Sequence, residues 1–329
     1  MERRDFLGLS SGTLATLALS ARGVANAPAR IDAAWYRHSR RFVELPMCRV
    51  AYVEYGSGPA ALFVHGYTMN GFQWRGALER LHSKRRCIAP DLMSMGYTQT
   101  PASQIITPET QVALIGALLD ALHIETVDLV ASDSGGIVAQ LFVARFPQRV
   151  RTLLLANCDV DENNPPPQFL PYVALAKEGL LVDRVLIPQL NDKELARSPK
   201  GLGGLCFTYP ERFSDETIDT YWRPLVETPL KKMQFNQYSV NLALNVLVPI
   251  RDNLRQWQGP ARMVWGLKDE IFPVKWADWL DRTLPGSRGV RRVEEANLFF
   301  PEEMPDLIAE EASRLWDTKR SIPTVGDGS

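Results

Sequence analysis

The sequence predicts an α/β fold: a mostly parallel sheet, helices on both faces, and a helical cap inserted before the last strands. Three observations carry that expectation. Short apolar runs alternate with amphipathic stretches from about residue 49 to 158, and again from about 261 to 316, the pattern of strands buried on both faces by crossover helices. Between these regions the alternation is lost in a polar, Pro-rich opening followed by aromatic-rich helical sequence. Lastly, one apolar run ends abruptly in Ser132-Asp133-Ser134-Gly135-Gly136, a strand turning straight into a helix through small residues.

Taken in order, Arg49 to Tyr55 alternates and stops at Gly56-Ser57-Gly58-Pro59, which reads as strand and turn. Ala61 to Val64 is a short strand ending at His65-Gly66, and Cys87 to Asp91 is another. Thr107-Pro108-Glu109 marks a helix start, and Ile115, Leu118, Leu119 and Leu122 fall on one face of that helix. A strand at Val127–Ala131, a helix over about 134–146 and a strand at Val150–Ala156 follow. After the insertion come a strand at Ala261–Trp265, a helix over about 274–284, a strand at Val290–Val293 and a closing helix over about 302–316. Residues 28–48 show no clear period. The domain expectation is a core from 28–158, a cap over 159–252, a second core part over 253–318, and a disordered tail over 319–329.

At 329 residues, 45% hydrophobic and 23% charged, the composition is that of a globular protein. Lys plus Arg is 37 against 38 for Asp plus Glu, so nothing in the global charge draws the chain to nucleic acid or anionic membrane. No run approaches the roughly 20 apolar residues of a membrane span. The four cysteines are scattered and no Cys/His spacing suggests a metal, so neither metal nor organic cofactor is expected. The expected partner is a small-molecule substrate. At the N-terminus, Arg3-Arg4 precedes a moderately apolar stretch and Ala25-Asn26-Ala27. That order resembles a twin-arginine signal peptide over 1–27 and predicts export to the periplasm or beyond.

The strand-to-helix turn admits two registers for its strained central residue, which needs small neighbours two positions away. With Asp133 central the neighbours are Ala131 and Gly135, and Gly136 lets the helix approach. With Ser134 central the bulky Ile137 takes that third place. Strand length also favours Asp133, with a merely structural Gly-rich turn as the remaining alternative.

With these residues in view, the chain from about Arg49 to Trp316 resembles the α/β-hydrolase superfamily. The resemblance rests on His65-Gly66 after the third strand, Asp91 with Gly96 after the fourth, the elbow, Trp265-Gly266-Leu267-Lys268-Asp269, and Pro301-Glu302-Glu303. An aspartate at the elbow, with the run His65-Gly66-Tyr67 through Gln73-Trp74-Arg75, is similar to the haloalkane dehalogenase and epoxide hydrolase branch. The resemblance implies Asp133 as nucleophile, forming an alkyl ester at an sp3 carbon. It implies backbone N–H groups of Tyr67 and Ser134 as the oxyanion hole, and Asp269 as the acid that orients a histidine. Asp269 also reads as a turn carboxylate, and His65 reads more readily as structural than catalytic. His65, Trp74, Asn157 and Leu298 are the further expected pocket residues.

The pattern breaks at the base. The family's histidine belongs after the eighth strand, where this chain has Asn297-Leu298-Phe299. Its four histidines stand at 38, 65, 82 and 123, none beyond the elbow. Leucine takes no proton, so an Asp–His–Asp triad is excluded. The groups that could stand in are Glu294, Glu295, Asn297, Asn157 and Asp159. The halide donors of dehalogenases, commonly Asn and Trp, have Tyr67 and Ser134 in the matching places. The acidic donors of epoxide hydrolases, usually cap tyrosines, have Tyr172, Tyr209, Tyr221 and Tyr238 as candidates. Two buried carboxyls at 133 and 269 without an imidazolium between them are expected to raise at least one pKa. A poised Asp133 would also suit general acid–base chemistry in a lyase, cyclase or isomerase. A ligand-binding pseudoenzyme is the remaining alternative.

Overall fold

The computed structural model describes residues 30–317; the expected signal peptide and the tail beyond Asp317 lie outside the described residues. Eight strands form one sheet in the order β1-β2-β4-β3-β5-β6-β7-β8. They are β1 (Arg41–Glu44), β2 (Arg49–Tyr55), β3 (Ala60–Val64), β4 (Arg86–Pro90), β5 (Val127–Asp133), β6 (Val150–Cys158), β7 (Ala261–Gly266) and β8 (Ser287–Val293). β2 runs antiparallel to both of its neighbours, and the pairs from β4 through β3, β5, β6 and β7 to β8 are parallel. Every residue of β3 and β5 is buried; β3 is apolar throughout, and β5 is apolar but for Asp128 and its polar end at Ser132 and Asp133.

The helix Pro108–Ala121 begins at the expected place. Thr107 Oγ1 accepts from Thr110 N–H while Thr110 Oγ1 accepts from Thr107 N–H, so two otherwise unpaired donors are satisfied reciprocally. Between β6 and β7 the regular elements are all helical, the longest being Asp215–Val226 and Pro229–Leu242. This insertion is the cap. It is fastened to the core at Glu303, whose carboxylate accepts from Thr208 and Tyr209 N–H at 2.8 and 2.7 Å. A second fastening joins Arg75, Glu302 and the cap's Tyr221: Arg75 Nη2 and the Tyr221 hydroxyl donate to Glu302 at 2.7 and 2.6 Å.

Three local differences from the sequence expectation have plain causes. Residues 28–48 contain a helix at Ala33–Ser39 and the strand β1. β1 is an edge strand with mostly exposed residues, so it carries no apolar signal. The strands at 127 and 150 run on to Asp133 and Cys158, through polar residues that the apolar runs do not include. The closing helix is split into Phe300–Glu303 and Pro305–Trp316, because Pro305 lacks the N–H needed to continue a helix and suits a new first turn.

Candidate active site

β5 ends on Asp133, whose φ is +54°, and the next helix starts at Gly135. Ser134 has φ −61° and ψ −19°, ordinary helical values. The strained residue is therefore Asp133, which settles the register. Left-handed backbone costs an L-residue roughly 1–2 kcal/mol, and strain of this kind clusters at functional sites. Glycines make the turn sterically possible. A Cβ on Gly135 would lie 2.5 Å from the His65 carbonyl oxygen, and one on Gly136 would lie 2.4 Å from Cys158 Cβ.

The two expected oxyanion donors converge on the Asp133 side chain. Tyr67 N–H donates to Asp133 Oδ1 at 2.7 Å, and Ser134 N–H donates to the same oxygen. The loop carrying Tyr67 is held by Gln73, which accepts from Gly66 N–H and donates to Ser132 Oγ, both at 2.9 Å. Tyr67 also joins core to cap: its hydroxyl bonds Ser239, and its ring stacks on Phe235 at 4.9 Å between centroids. Asp133 is 6% exposed. Burial pushes its pKa up, and the N–H donors of Ser134 and Tyr67 pull it partly back.

Asp133 opens on a cavity of about 90 Å³, several times the roughly 10–15 Å³ that one water requires. Its walls come from both core and cap and are mostly apolar, with Phe169, Leu181, Val185, Phe235 and Leu242 among them. Tyr67, Ser134 and Leu298 also line it. Leu298 thus stands at the cavity as an aliphatic side chain with no proton to give or take. Of the four cap tyrosines, Tyr172 lines the cavity. Tyr221 is committed to Glu302, Tyr209 lies against Arg212, and Tyr238 is buried outside the lining.

The remaining expected residues sit elsewhere. His65, Trp74 and Asn157, expected in the pocket, are not among its lining residues. His65 is fully buried with both ring nitrogens engaged: Nε2 accepts from Leu92 N–H at 2.9 Å, which leaves Nδ1 to donate to the Gly66 carbonyl at 2.8 Å. Burial lowers its pKa, in keeping with that neutral ring. Trp74 is core, tilted against Phe63 at 5.7 Å. Asn157 Nδ2 donates to Asp269 Oδ2 at 2.7 Å and its Oδ1 accepts from Gly266 N–H.

Asp269 itself lies behind the cavity wall, and both its oxygens are occupied. Oδ1 accepts from Ile271 and Phe272 N–H at 2.8 and 3.1 Å, and Oδ2 takes the Asn157 amide. Burial pushes its pKa up to about 6. Where an imidazole N–H would be its donor, an amide serves instead.

Among the groups that might replace histidine, Glu294 and Glu295 are exposed, and Asn297 ties Leu205 to its own loop. Asp159 is different. It follows β6 directly, is 4% exposed, and lines the cavity. Its position three residues past the expected strand end at Ala156 was the only sequence signal for it. Among the described residues, no three His, Cys, Asp or Glu side chains gather as a metal site, and no helix is long and apolar enough to cross a membrane.

Comparison with known proteins fits this geometry. Residues 59–303 match the family model described as alpha/beta hydrolase fold. The chain belongs to the alpha/beta hydrolase fold family. Haloalkane dehalogenase 2 of Mycobacterium tuberculosis is 24% identical over 84% of this α/β hydrolase and 95% of its own length. A cis-3-alkyl-4-alkyloxetan-2-one decarboxylase of Shewanella oneidensis is 24% identical, covering 73% of this chain and 77% of that enzyme. A 2-hydroxy-6-oxo-2,4-heptadienoate hydrolase of Pseudomonas putida is 39% identical, but the match spans 30% of this chain and 37% of that protein. Among solved structures, a putative ancestral haloalkane dehalogenase superposes with a TM-score of 0.70 at 22% identity, covering 84% of this chain and all of the other. The epoxide hydrolase CorEH gives 0.69 at 20% identity, covering 84% of this chain and 98% of its own. At these identities the structural matches speak for the fold.

Proposed function

We propose that this α/β hydrolase is an enzyme whose reaction centre is Asp133, acting on a small or medium apolar substrate held between core and cap. The observation that carries the reading is the seat of Asp133. A buried carboxylate is held on strained backbone with one oxygen fixed by two backbone N–H groups, and it borders an apolar chamber. Fixing Oδ1 leaves the other oxygen for attack on an sp3 carbon, and the same two donors would stabilise the oxyanion when the ester is hydrolysed. Asp133→Asn tests this: turnover is abolished while ligand affinity, measured by calorimetry, is retained. An Asn variant with full turnover would refute it.

A second reading is favoured by Leu298, which faces the chamber where a water-activating base would be needed. The oxetanone decarboxylase relative is named for a loss of carbon dioxide, a reaction class that consumes no water. In such a lyase Asp133 acts without ester hydrolysis. Product oxygen distinguishes the two: over multiple turnovers in heavy-oxygen water hydrolysis labels the product by way of the Asp133 carboxylate, whereas elimination does not. We also propose export through the Arg3-Arg4 signal. Replacing both arginines by lysine is expected to hold the protein in the cytoplasm, and unchanged fractionation would contradict this.

A further inference from the structure

We propose that Asp159 is the acid–base residue of the Asp133 centre and supplies both proton transfers that the absent histidine and cap tyrosine pair would have made. The inference rests on the reading of Asp133 as a nucleophile and adds to it a residue and a substrate preference.

The argument starts from elimination within the chamber. The ionisable side chains on its wall are Tyr67, Asp133, Asp159, Tyr172 and Cys206. The Tyr67 hydroxyl is taken by Ser239, and burial drives the Cys206 thiol well above its ordinary value. Tyr172 is a phenol pushed up by burial, suited to donating a hydrogen bond but not to drawing a proton from water. Asp159 can do both.

Its geometry leaves it free to do so. The backbone is anchored, with the Asp159 carbonyl accepting from Gln140 Nε2 at 2.8 Å. Among the described residues the carboxyl takes a long 3.5 Å contact from Asn164 Nδ2 to Oδ1 and a hydrogen bond from its own backbone N–H, and no cation pairs with it. The groups acting on it from neighbouring elements are Asp133 at the elbow, Asp269 after β7, and the Tyr238 phenol from the helix Pro229–Leu242. Its chain neighbour Cys158 has a thiol that is itself pushed up. The two carboxylates oppose a second negative charge on Asp159, while its own backbone N–H and the Asn164 amide favour it more weakly; the charge on Asp159 in turn keeps the Tyr238 phenol and the Cys158 thiol neutral. Burial raises Asp159 well above the ordinary carboxylate range, and the charge on Asp133 is the next cause. Asp133, braced by two N–H donors, is the better seat for the negative charge, and on this proposal the pair's shared proton resides on Asp159.

A proton there matters for an oxygen leaving group and not for a halide. With an epoxide, Asp133 attacks a ring carbon, the carbon–oxygen bond breaks, and the alkoxide takes the Asp159 proton. Esterification removes the Asp133 charge, and with it the main electrostatic reason for Asp159 to stay protonated. The Asp159 carboxylate then takes a proton from water as hydroxide adds to the ester carbonyl. Collapse expels the alcohol oxygen, which takes the proton of the newly formed Asp133 carboxylic acid. The cycle consumes one water, yields a diol, and returns Asp133 ionised and Asp159 protonated.

Asp159→Asn, nearly isosteric, tests this with two probes that differ in leaving group, styrene oxide and benzyl bromide, with adducts located on the Asp133 peptide by mass spectrometry. The variant is expected to open styrene oxide about 100-fold more slowly or worse, yet to be alkylated by benzyl bromide within a few-fold of wild type and then to retain the ester. Wild-type ester formation from styrene oxide falls on the alkaline side, a limb absent for benzyl bromide and in the Asn variant. Asp159→Glu retains both half-reactions at reduced rate, and equal loss in Glu and Asn would mean structural damage and overturn the proposal. Wild-type behaviour of the Asn variant on both probes overturns the role of Asp159 alone. Wild-type enzyme that forms no Asp133 adduct with either probe overturns the nucleophile reading, and this inference falls with it.

Discussion

Gly66 offers a direct test of how tightly the reaction centre is built. It lies in the loop after β3, and a Cβ there would sit 2.6 Å from Asp133 Cβ and 3.0 Å from Asp133 Oδ1. Ordinary contacts begin near 3.4 Å, so Gly66→Ala must move Asp133, or the loop carrying Tyr67 N–H, by close to an ångström. Gly66 needs no left-handed backbone, so the conflict is with the aspartate and not with the residue's own conformation. Overpacking of this kind costs roughly 1–3 kcal/mol, and for a chain of this length each kcal/mol moves Tm by at most roughly 2–4 °C. The kinetic effect is larger, because a misplacement of an ångström costs about 100-fold in a positioned reaction. The assay is the rate of Asp133 alkylation followed by intact mass, beside thermal melting. Gly66→Ala with wild-type alkylation and wild-type Tm would refute the assignment of Asp133 to this seat. Combining Gly66→Ala with Asp133→Gly removes the facing Cβ, so the stability loss of the first change is expected to shrink in the pair.

Other outcomes follow from the same geometry. Glu302→Gln removes the carboxylate shared by Arg75 and the cap's Tyr221, and urea denaturation is expected to show a loss approaching the ~3–5 kcal/mol of a broken buried pair, tempered because the Arg75 side chain is 20% exposed. For Asp269, raised by burial to about 6, the native state holds a proton between its unfolded value near ~3.9 and about 6 that the unfolded chain has released. Its contribution to stability is therefore present at low pH and lost as pH rises through that window, so the urea midpoint of Asp269→Asn should decline less than wild type across it; parallel curves would contradict this. Leu298→His, added to Asp159→Asn, is expected to restore hydrolysis of a trapped Asp133 ester, and a persistent ester would mean that position 298 does not reach it. The same substitution buries a polar ring where Leu298 is 2% exposed, so it should lower Tm.

The sequence made the central sheet legible because β3, β5 and β6 are buried along nearly their whole length, and burial on both faces leaves short runs dominated by apolar residues, Ala60–Val64, Leu129–Ala131 and Leu153–Ala156. The elbow was legible for a steric reason: Gly135 and Gly136 meet a carbonyl and a cysteine at distances no Cβ tolerates. Edge strand β1 was not, since exposed residues leave no period. Site membership was harder to read than site position. His65 and Asn157 each stand two residues before a wall residue, Tyr67 and Asp159, and Trp74 is farther off in the chain, but sequence does not say which way a side chain points, and these three point into hydrogen-bonded or apolar interior. Asp159 could be named as a candidate but not chosen, because its distinction from Glu294 and Glu295 is burial, which depends on how the cap closes over the end of β6.

The central claim is that the Asp133 carboxylate forms a bond to substrate carbon. The most direct measurement is multiple turnover of styrene oxide in heavy-oxygen water, followed by mass analysis of the peptide containing Asp133. Covalent attack and ester hydrolysis place heavy oxygen in the Asp133 carboxylate, and the account predicts that label. Turnover that labels the diol while leaving the Asp133 peptide unlabelled would contradict it.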